Sequence, residues 1–376
     1  MPSKKYKVAL VPGDGIGPEV IRQAKKVTEK ASRASGFEME WTEYPYSASH
    51  YLETEEILPE QAVKEMERMD AILLGAIGDP RVKPGLLERG ILLTLRFHFD
   101  MYINLRPAKT WPRVPVPLRN PKDRKMDILV VRENTEDLYM GIGAASEGPI
   151  DLDINVKRGL YELSGKLDLE LDPSCPSAVQ LGIASEKAVR RITKRACNEA
   201  TNRGETSFTL ASKSNAMPQL YGFWEEVAAD EAKKHGMEMK MVNVDALCYH
   251  LVRDPWDYGV ILCPNMFGDI VSDLLAGLSG GLGVAAGANA GESLGMYEPI
   301  HGSAPDIAGK GIANPVAAIL SASLMLSSLG EKKASETIDK AVSDYLEKSP
   351  GEKLPVEMGG KGSTEDVCND IIGFMA

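Results

Sequence analysis

Short runs rich in valine, isoleucine and leucine, at residues 8–11, 71–74, 128–131 and 260–263, alternate with longer amphipathic stretches such as residues 18–31 and 185–202. Runs of four apolar residues are strand-sized, while the longer stretches repeat their apolar positions at helical spacing. The alternation predicts an α/β fold with a substantially parallel sheet. With 376 residues, 43% of them hydrophobic, the chain can bury a large core, and its length alone suggests two or three domains.

Two stretches punctuate the pattern. Prolines cluster at residues 107–121, after Asn104-Leu105-Arg106, and glycine and alanine crowd residues 277–291. Read as crossings, they make the first domain discontinuous, residues 1–103 with 281–376, around a second domain of residues 104–280. Within the second, residues 143–176 mix strand-like alternation (Leu152, Ile154, Val156; Leu167, Leu169, Leu171) with turn residues. An extended antiparallel arm of that kind needs covering, and a second subunit is the expected cover.

A net charge of −11 gives no electrostatic basis for nucleic acid or anionic lipid as a partner. No apolar stretch approaches the roughly 18 residues that a membrane span needs. Cys175, Cys197, Cys248, Cys263 and Cys368 are odd in number and lack C-x-x-C spacing, so neither a disulfide framework nor a zinc site is expected. The N-terminus runs straight into a strand-like segment without a signal-peptide pattern, and a reducing, cytoplasmic setting follows.

Five segments could carry chemistry. Residues 11–19 form a glycine-rich turn between a strand and a helix, where exposed amides favour an anion. Its G-x-G-x-G spacing differs from the dinucleotide-binding G-x-G-x-x-G, although Glu38 or Glu40 could act as the ribose acid of that fold. Arg96, Arg106 and Arg132 would suit a dianionic ligand if they converged, because a guanidinium binds a carboxylate bidentately. A single arginine is more often a solvated surface residue, but Arg132 ends an apolar strand, where α/β proteins place ligand crevices.

Asp269 and Asp273 are four residues apart on one helical face, and Asp245 follows another strand-like run. Like charges at that spacing destabilise a bare helix, and Ile270, Val271, Leu274 and Leu275 predict burial on most faces, so the acids call for a cation. Hard oxygen ligands suit Mg²⁺ or Mn²⁺ rather than zinc. Lys213 and Tyr139 each read as ordinary polar residues alone; paired, a lysine with a lowered pKa and a phenol could move protons. Residues 301–314 form a loop dense in glycine and alanine that lets a flat ligand approach the backbone.

Taken in order, from Gly13 to at least Asn314, these segments resemble the β-decarboxylating dehydrogenases, the family of isopropylmalate, isocitrate, homoisocitrate, tartrate and D-malate dehydrogenases. Residues 265–277, Asn-Met-Phe-Gly-Asp-Ile-Val-Ser-Asp-Leu-Leu-Ala-Gly, are similar to the family's metal-binding signature. The resemblance implies the two-domain fold of that family with a discontinuous first domain and a β-rich dimerisation arm. It implies that Asp269 and Asp273 bind the metal with Asp245 of a partner subunit, in a homodimer or higher oligomer whose active site is shared. It gives Lys213 and Tyr139 catalytic roles, with Lys213 also crossing the dimer, and makes Arg96, Arg106 and Arg132 carboxylate-binding residues.

The resemblance also moves the cofactor away from the glycine turn to Glu298, His301, Gly302, Ser303, Ala304, Asp306, Ile307 and Asn314. Asp306-Ile307 resembles the NAD-specific members, where an acid accepts from ribose hydroxyls and repels a 2′-phosphate. Before Arg96 stand Leu92 and Leu93, which would bury an isopropyl group at roughly 0.8 kcal/mol per carbon. The implied reaction is NAD-dependent oxidative decarboxylation of a 2-hydroxy diacid, with 3-isopropylmalate, and so leucine biosynthesis, ahead of D-malate, tartrate, isocitrate and homoisocitrate. A silent regulatory subunit, a ligand-binding module and a metal-free Rossmann oxidoreductase are the rival classes.

Overall fold

The computed structural model describes residues 4–118, 124–172 and 174–375. The end of the proline-rich stretch (residues 119–121), Pro173 of the expected arm and the first three residues lie outside them. The chain divides into two compact units, one made of Met1–Met101, Leu105–Asp127 and Leu274–Ala376, the other of Tyr102–Asn104 and Ile128–Asp273.

In the first unit, strand Lys4–Gly13 pairs in parallel with Phe37–Glu43 on one side and Ala71–Ala76 on the other. Gly295–Pro299 extends the sheet in parallel, and Ala286–Ala290 adds an antiparallel strand. Helix Gly17–Ser35 buries Val20, Ala24, Val27 and Ala31, spaced three and four apart as its apolar stripe requires, with Ile21 beside them. Gly36 ends it in the left-handed conformation, at φ 78°. Helix Val316–Ser328 is buried on nearly every face, which its alanine-rich sequence permits.

In the second unit, Ile128–Glu133 continues the strand that pairs in parallel with Val260–Cys263, followed by Ser207–Ser212 and Glu238–Asn243. The apolar runs singled out in the sequence thus form central strands, and the α/β fold of the expected family is present. Helix Glu186–Asn202 begins where Ser185 Oγ accepts from Ala188 N, at 3.2 Å. Helix Val244–Arg253 follows strand Glu238–Asn243, and helix Asn265–Leu278 follows strand Val260–Cys263.

The observed division differs from boundaries at 103/104 and 280/281. Residues 105–118 pack with the first unit because Lys109 meets Asp339 at 3.3 Å, the Arg113 guanidinium donates to Ser349 O, and Val114 packs against Gly280. At the other end the second unit closes at Asp273, inside a helix, rather than in the glycine-rich stretch.

The segment expected as an arm forms two antiparallel pairs, Gly143–Ser146 with Ser177–Gln180 and Ile150–Lys157 with Glu162–Leu169. One face of the longer hairpin is covered by its own chain: Val156, Leu152 and Ile154 pack with Met140, Ile142, Leu181 and Ile183. Strand Glu162–Leu169 is largely exposed.

Candidate active site

In the first unit a cavity of about 180 Å³ is lined by Leu92, Arg96, Arg106, Glu298, His301 and Gly302, together with the ends of strands Ala71–Ala76 and Gly295–Pro299. Leu93 is not among its lining residues. A π-helical turn, Glu88–Leu93, immediately precedes the short helix Thr94–His98 that carries Arg96. Such wide turns recur at functional sites because they shift a side chain out of regular helical register.

Glu298 is buried and accepts from Arg96 at 3.3 Å and from Asn289 Nδ2 at 2.6 Å. Arg96 Nε and His301 Nε2 are buried there without hydrogen-bond partners. Burial also holds His301 below its ordinary pKa, so the ring is neutral near pH 7. The unsatisfied Arg96 Nε, beside two guanidinium groups, fits an anionic ligand, while the neutral His301 ring, whose Nδ1 donates to Gly302 O at 3.0 Å, leaves Nε2 to accept from a ligand donor.

Three amides of the glycine turn are already taken within the chain. Asp14 N donates to Ala76 O, Ile16 N to Ser303 O and Gly17 N to Asp14 O. Glu40 is paired with Lys5 on the surface. The turn instead supports loop 301–314: a Cβ on Gly15 would lie 1.9 Å from Ser303 O, and Glu19 accepts from Gly309 N at 2.5 Å. The far end of the loop is held where Thr364 donates to Gly311 O and Ala313 O and Asn314 donates to Glu357. Between these anchors Asp306 is exposed and Ala304 adopts φ 41°, while Ile307 N donates to Ala304 O. Glu19 and Asn289 have no functional reading in the sequence; the one signal is Glu19's place in the first turn of a helix after glycines.

The second unit holds the acids. Asp269, on helix Asn265–Leu278, accepts from Arg132 Nη1 at 2.6 Å through Oδ1 and from the Tyr139 hydroxyl at 2.7 Å through Oδ2. Arg132 is only 2% exposed; it also donates to Asn265 Oδ1 at 3.0 Å and crosses the helix at Gly268, where a Cβ would meet its side chain. The guanidinium lies 5.3 Å from the Tyr139 ring centroid. Burial and the bond to Asp269 push the Tyr139 phenol up to about 12, so it keeps its proton at neutral pH. Asp273 lies one turn further along the same helix, exposed. The helix is buried on most faces, as expected: Phe267, Val271, Ser272, Leu275 and Ala276 are buried, and full exposure is confined to one stripe, Ile270, Asp273 and Gly277, with Ile270 53% exposed.

Lys213 and Asp245 form a pair of their own, Nζ to Oδ1 at 2.6 Å, and Lys213 holds the Asp245 carboxyl below its ordinary pKa. Asp245 sits in the first turn of helix Val244–Arg253, directly after strand Glu238–Asn243, as expected. Among the described residues of one chain, no three His, Cys, Asp or Glu side chains are grouped to hold a metal ion. Also among the described residues, no helix is long and apolar enough to cross a membrane.

With this arrangement in view, the profile of the isocitrate/isopropylmalate dehydrogenase family matches residues 7–371. The chain belongs to that family. It is 37% identical over 376 residues to a 3-isopropylmalate dehydrogenase of Thermobifida fusca, covering 99% of this chain and 98% of that one. A 3-isopropylmalate dehydrogenase of Mycolicibacterium vanbaalenii is 40% identical over 360 residues, 94% of this chain and 98% of the relative. Among solved structures, isocitrate dehydrogenase from Methylococcus capsulatus superposes with a TM-score of 0.81 at 30% identity, covering 98% of this chain and 99% of that one. A β-decarboxylating dehydrogenase from Thermococcus kodakarensis gives 0.74 at 33% identity, covering 98% and 96%. As a member of the isocitrate/isopropylmalate dehydrogenase family, the chain is a dehydrogenase.

Proposed function

We propose that the chain oxidises 3-isopropylmalate with NAD and decarboxylates the product to 4-methyl-2-oxopentanoate, a step of leucine biosynthesis. The observation that carries this reading is the cavity in which Leu92 stands beside Arg96 and Arg106. Guanidinium groups bind the carboxylates, and the leucine takes the isopropyl substituent. The name shared by relatives 37–40% identical over nearly the whole chain supports the same substrate.

In this reading Arg96, Arg106 and Arg132 orient the diacid, and Lys213 of a second chain removes the proton from the C2 hydroxyl; NAD, when bound, would supply the hydride acceptor. After carbon dioxide departs, the Tyr139 phenol returns a proton to C3. The donor chemistry of Asp269 and Asp273, hard oxygens on one helical face, fits Mg²⁺ or Mn²⁺, with Asp245 of a second chain as a third ligand. A bound divalent ion supplies Lewis-acid polarisation of the C2 oxygen. His301, Gly302, Ser303, Ala304, Asp306, Ile307, Asn314 and Glu298 form the NAD site, Asp306 accepting from ribose hydroxyls.

The first unit then serves the cofactor and the second the metal and dimerisation. A homodimer that shares its sites is supported by exposed apolar residues of the second unit, Met241, Tyr249, Val252 and Ile270. Cysteines that are all free support a reducing, cytoplasmic location.

The test is NADH formation with 3-isopropylmalate, with and without a chelator, in the wild type and in Asp269→Asn. Activity abolished by both treatments supports the reading; activity that survives both returns the chain to a metal-free oxidoreductase.

A further inference from the structure

Between Arg132 and Tyr139 lies a buried carboxylate to which the proposed reaction gives no task. Asp137 is 2% exposed, and its backbone sits at φ 66°, ψ −152°. A side-chain-bearing residue is rarely found there and stays only where its surroundings hold it, most often beside functional sites.

Asp137 is held from three directions. Its N–H donates to Ile183 O at 2.8 Å. Its Oδ2 accepts from Met266 N at 2.9 Å, and its Oδ1 accepts from the Tyr221 hydroxyl at 3.3 Å. Tyr221 is fully buried, with its ring 4.5 Å from that of Phe267. A parallel tie runs one residue earlier, where Asn265 Nδ2 donates to Glu136 O at 3.0 Å.

These bonds join two pieces of the proposed site. Met266 lies in the first turn of the helix that carries Asp269 and Asp273, where an N–H has no partner within the helix and a negative charge is favoured. Two residues beyond Asp137 is Tyr139, whose hydroxyl meets Asp269. The distance between the phenol and that carboxylate is therefore set by a clamp whose jaws are the loop and the helix terminus.

We propose that Asp137 is a positioning residue that fixes Tyr139 against Asp269 by clamping the strained loop to the N-terminus of the acidic helix. The proposal rests on the reading above, in which Tyr139 and Asp269 work in one site. A residue serving stability alone should be missed in proportion to its bonds. Here glycine would release the backbone strain while losing the carboxylate, so stability and catalysis are expected to part company.

The experiment uses the intact oligomeric protein and the variants Asp137→Gly, Asp137→Asn and Asp269→Asn. It reads the thermal midpoint without metal, Mn²⁺ affinity by calorimetry, and kcat and KM with 3-isopropylmalate and NAD. Asp137→Gly is expected to unfold close to the wild-type temperature yet lose about 10- to 100-fold in kcat, the scale of a small misplacement of reacting groups, with KM nearly unchanged. Its Mn²⁺ affinity should fall several-fold. Asp137→Asn keeps a carbonyl acceptor for Met266 N and should recover most of kcat. The proposal is overturned if Asp137→Gly keeps wild-type kcat and Mn²⁺ affinity, or if both Asp137 variants lose activity only in step with a collapsed thermal midpoint. If Asp269→Asn also leaves Mn²⁺ affinity and kcat untouched, the site itself has been misassigned and the clamp falls with it.

Discussion

Lys213 Nζ donates to Asp245 Oδ1 at 2.6 Å, in a pair separate from the bond between Tyr139 and Asp269. One chain thus presents two half-sets of chemistry, a lysine–carboxylate pair and a phenol–carboxylate–arginine group. A two-fold dimer can bring the first half of one copy to the second half of the other.

Subunit mixing tests that arrangement. Lys213→Ala and Asp269→Asn homodimers are each expected to be inactive. After co-refolding, half of the dimers are mixed, and each mixed dimer holds one intact and one doubly altered site, so about a quarter of wild-type activity should return. If each chain completed its own site, no activity would return.

Gly15 is the point at which the glycine turn touches the proposed cofactor loop. At φ +56°, with Ser303 O 1.9 Å from where a Cβ would stand, alanine there must displace the loop backbone. Gly15→Ala is expected to raise the NAD dissociation constant by at least about tenfold, equivalent to 1.4 kcal/mol, and to leave Mn²⁺ binding unchanged. Fluorescence titration with NADH checks the first and calorimetry the second.

Leu92 lines the cavity with Arg96 and Arg106, so the cost of shortening it should fall on a branched substrate. Leu92→Ala is expected to lower kcat/KM for 3-isopropylmalate by about 10-fold or more while changing D-malate turnover little, as an apolar pocket loses about 1–3 kcal/mol of discrimination. Steady-state kinetics on the two substrates, run side by side, give the ratio.

Glu133 gives a pH-dependent stability. It is wholly buried, accepts from Thr135 N, Thr135 Oγ1 and Glu136 N, and is pushed from its ordinary 4.5 up to about 7 by burial and by Glu136. Because the folded pKa is raised, the folded chain holds a proton that the unfolded chain has released between those values. The contribution of Glu133 to stability is therefore greatest below 4.5 and declines as pH rises to about 7. The full difference is on the order of 3 kcal/mol. Glu133→Gln has no proton to lose at that position, so the wild type should lose thermal midpoint relative to the variant as pH rises through the window. A constant gap between the two would remove the linkage.

Local features are legible in the chain itself. Short apolar runs form strands, and the four-residue spacing puts Asp269 and Asp273 on one helix. What the sequence does not display depends on contacts between distant residues. Arg132 meets Asp269 across 137 positions, and the glycine turn that resembles a phosphate cradle gives its Ile16 amide to Ser303. The proline-rich stretch has the composition of a crossing, yet Lys109 and Val114 bind it to the first unit. Apolar flanks around Asp269 predict burial, but periodicity does not tell a face packed on the core from an uncovered one, and Ile270 is uncovered. Nor does the string Asn-Thr-Glu-Asp show that its last residue is held at positive φ.

The most direct test of the central claim is kcat/KM for NADH formation, measured with NAD and Mn²⁺ against 3-isopropylmalate, D-malate, tartrate, isocitrate and homoisocitrate under matched conditions. Preference for 3-isopropylmalate is the predicted result. A higher value for any of the other four, or no turnover of any of the five, would contradict it.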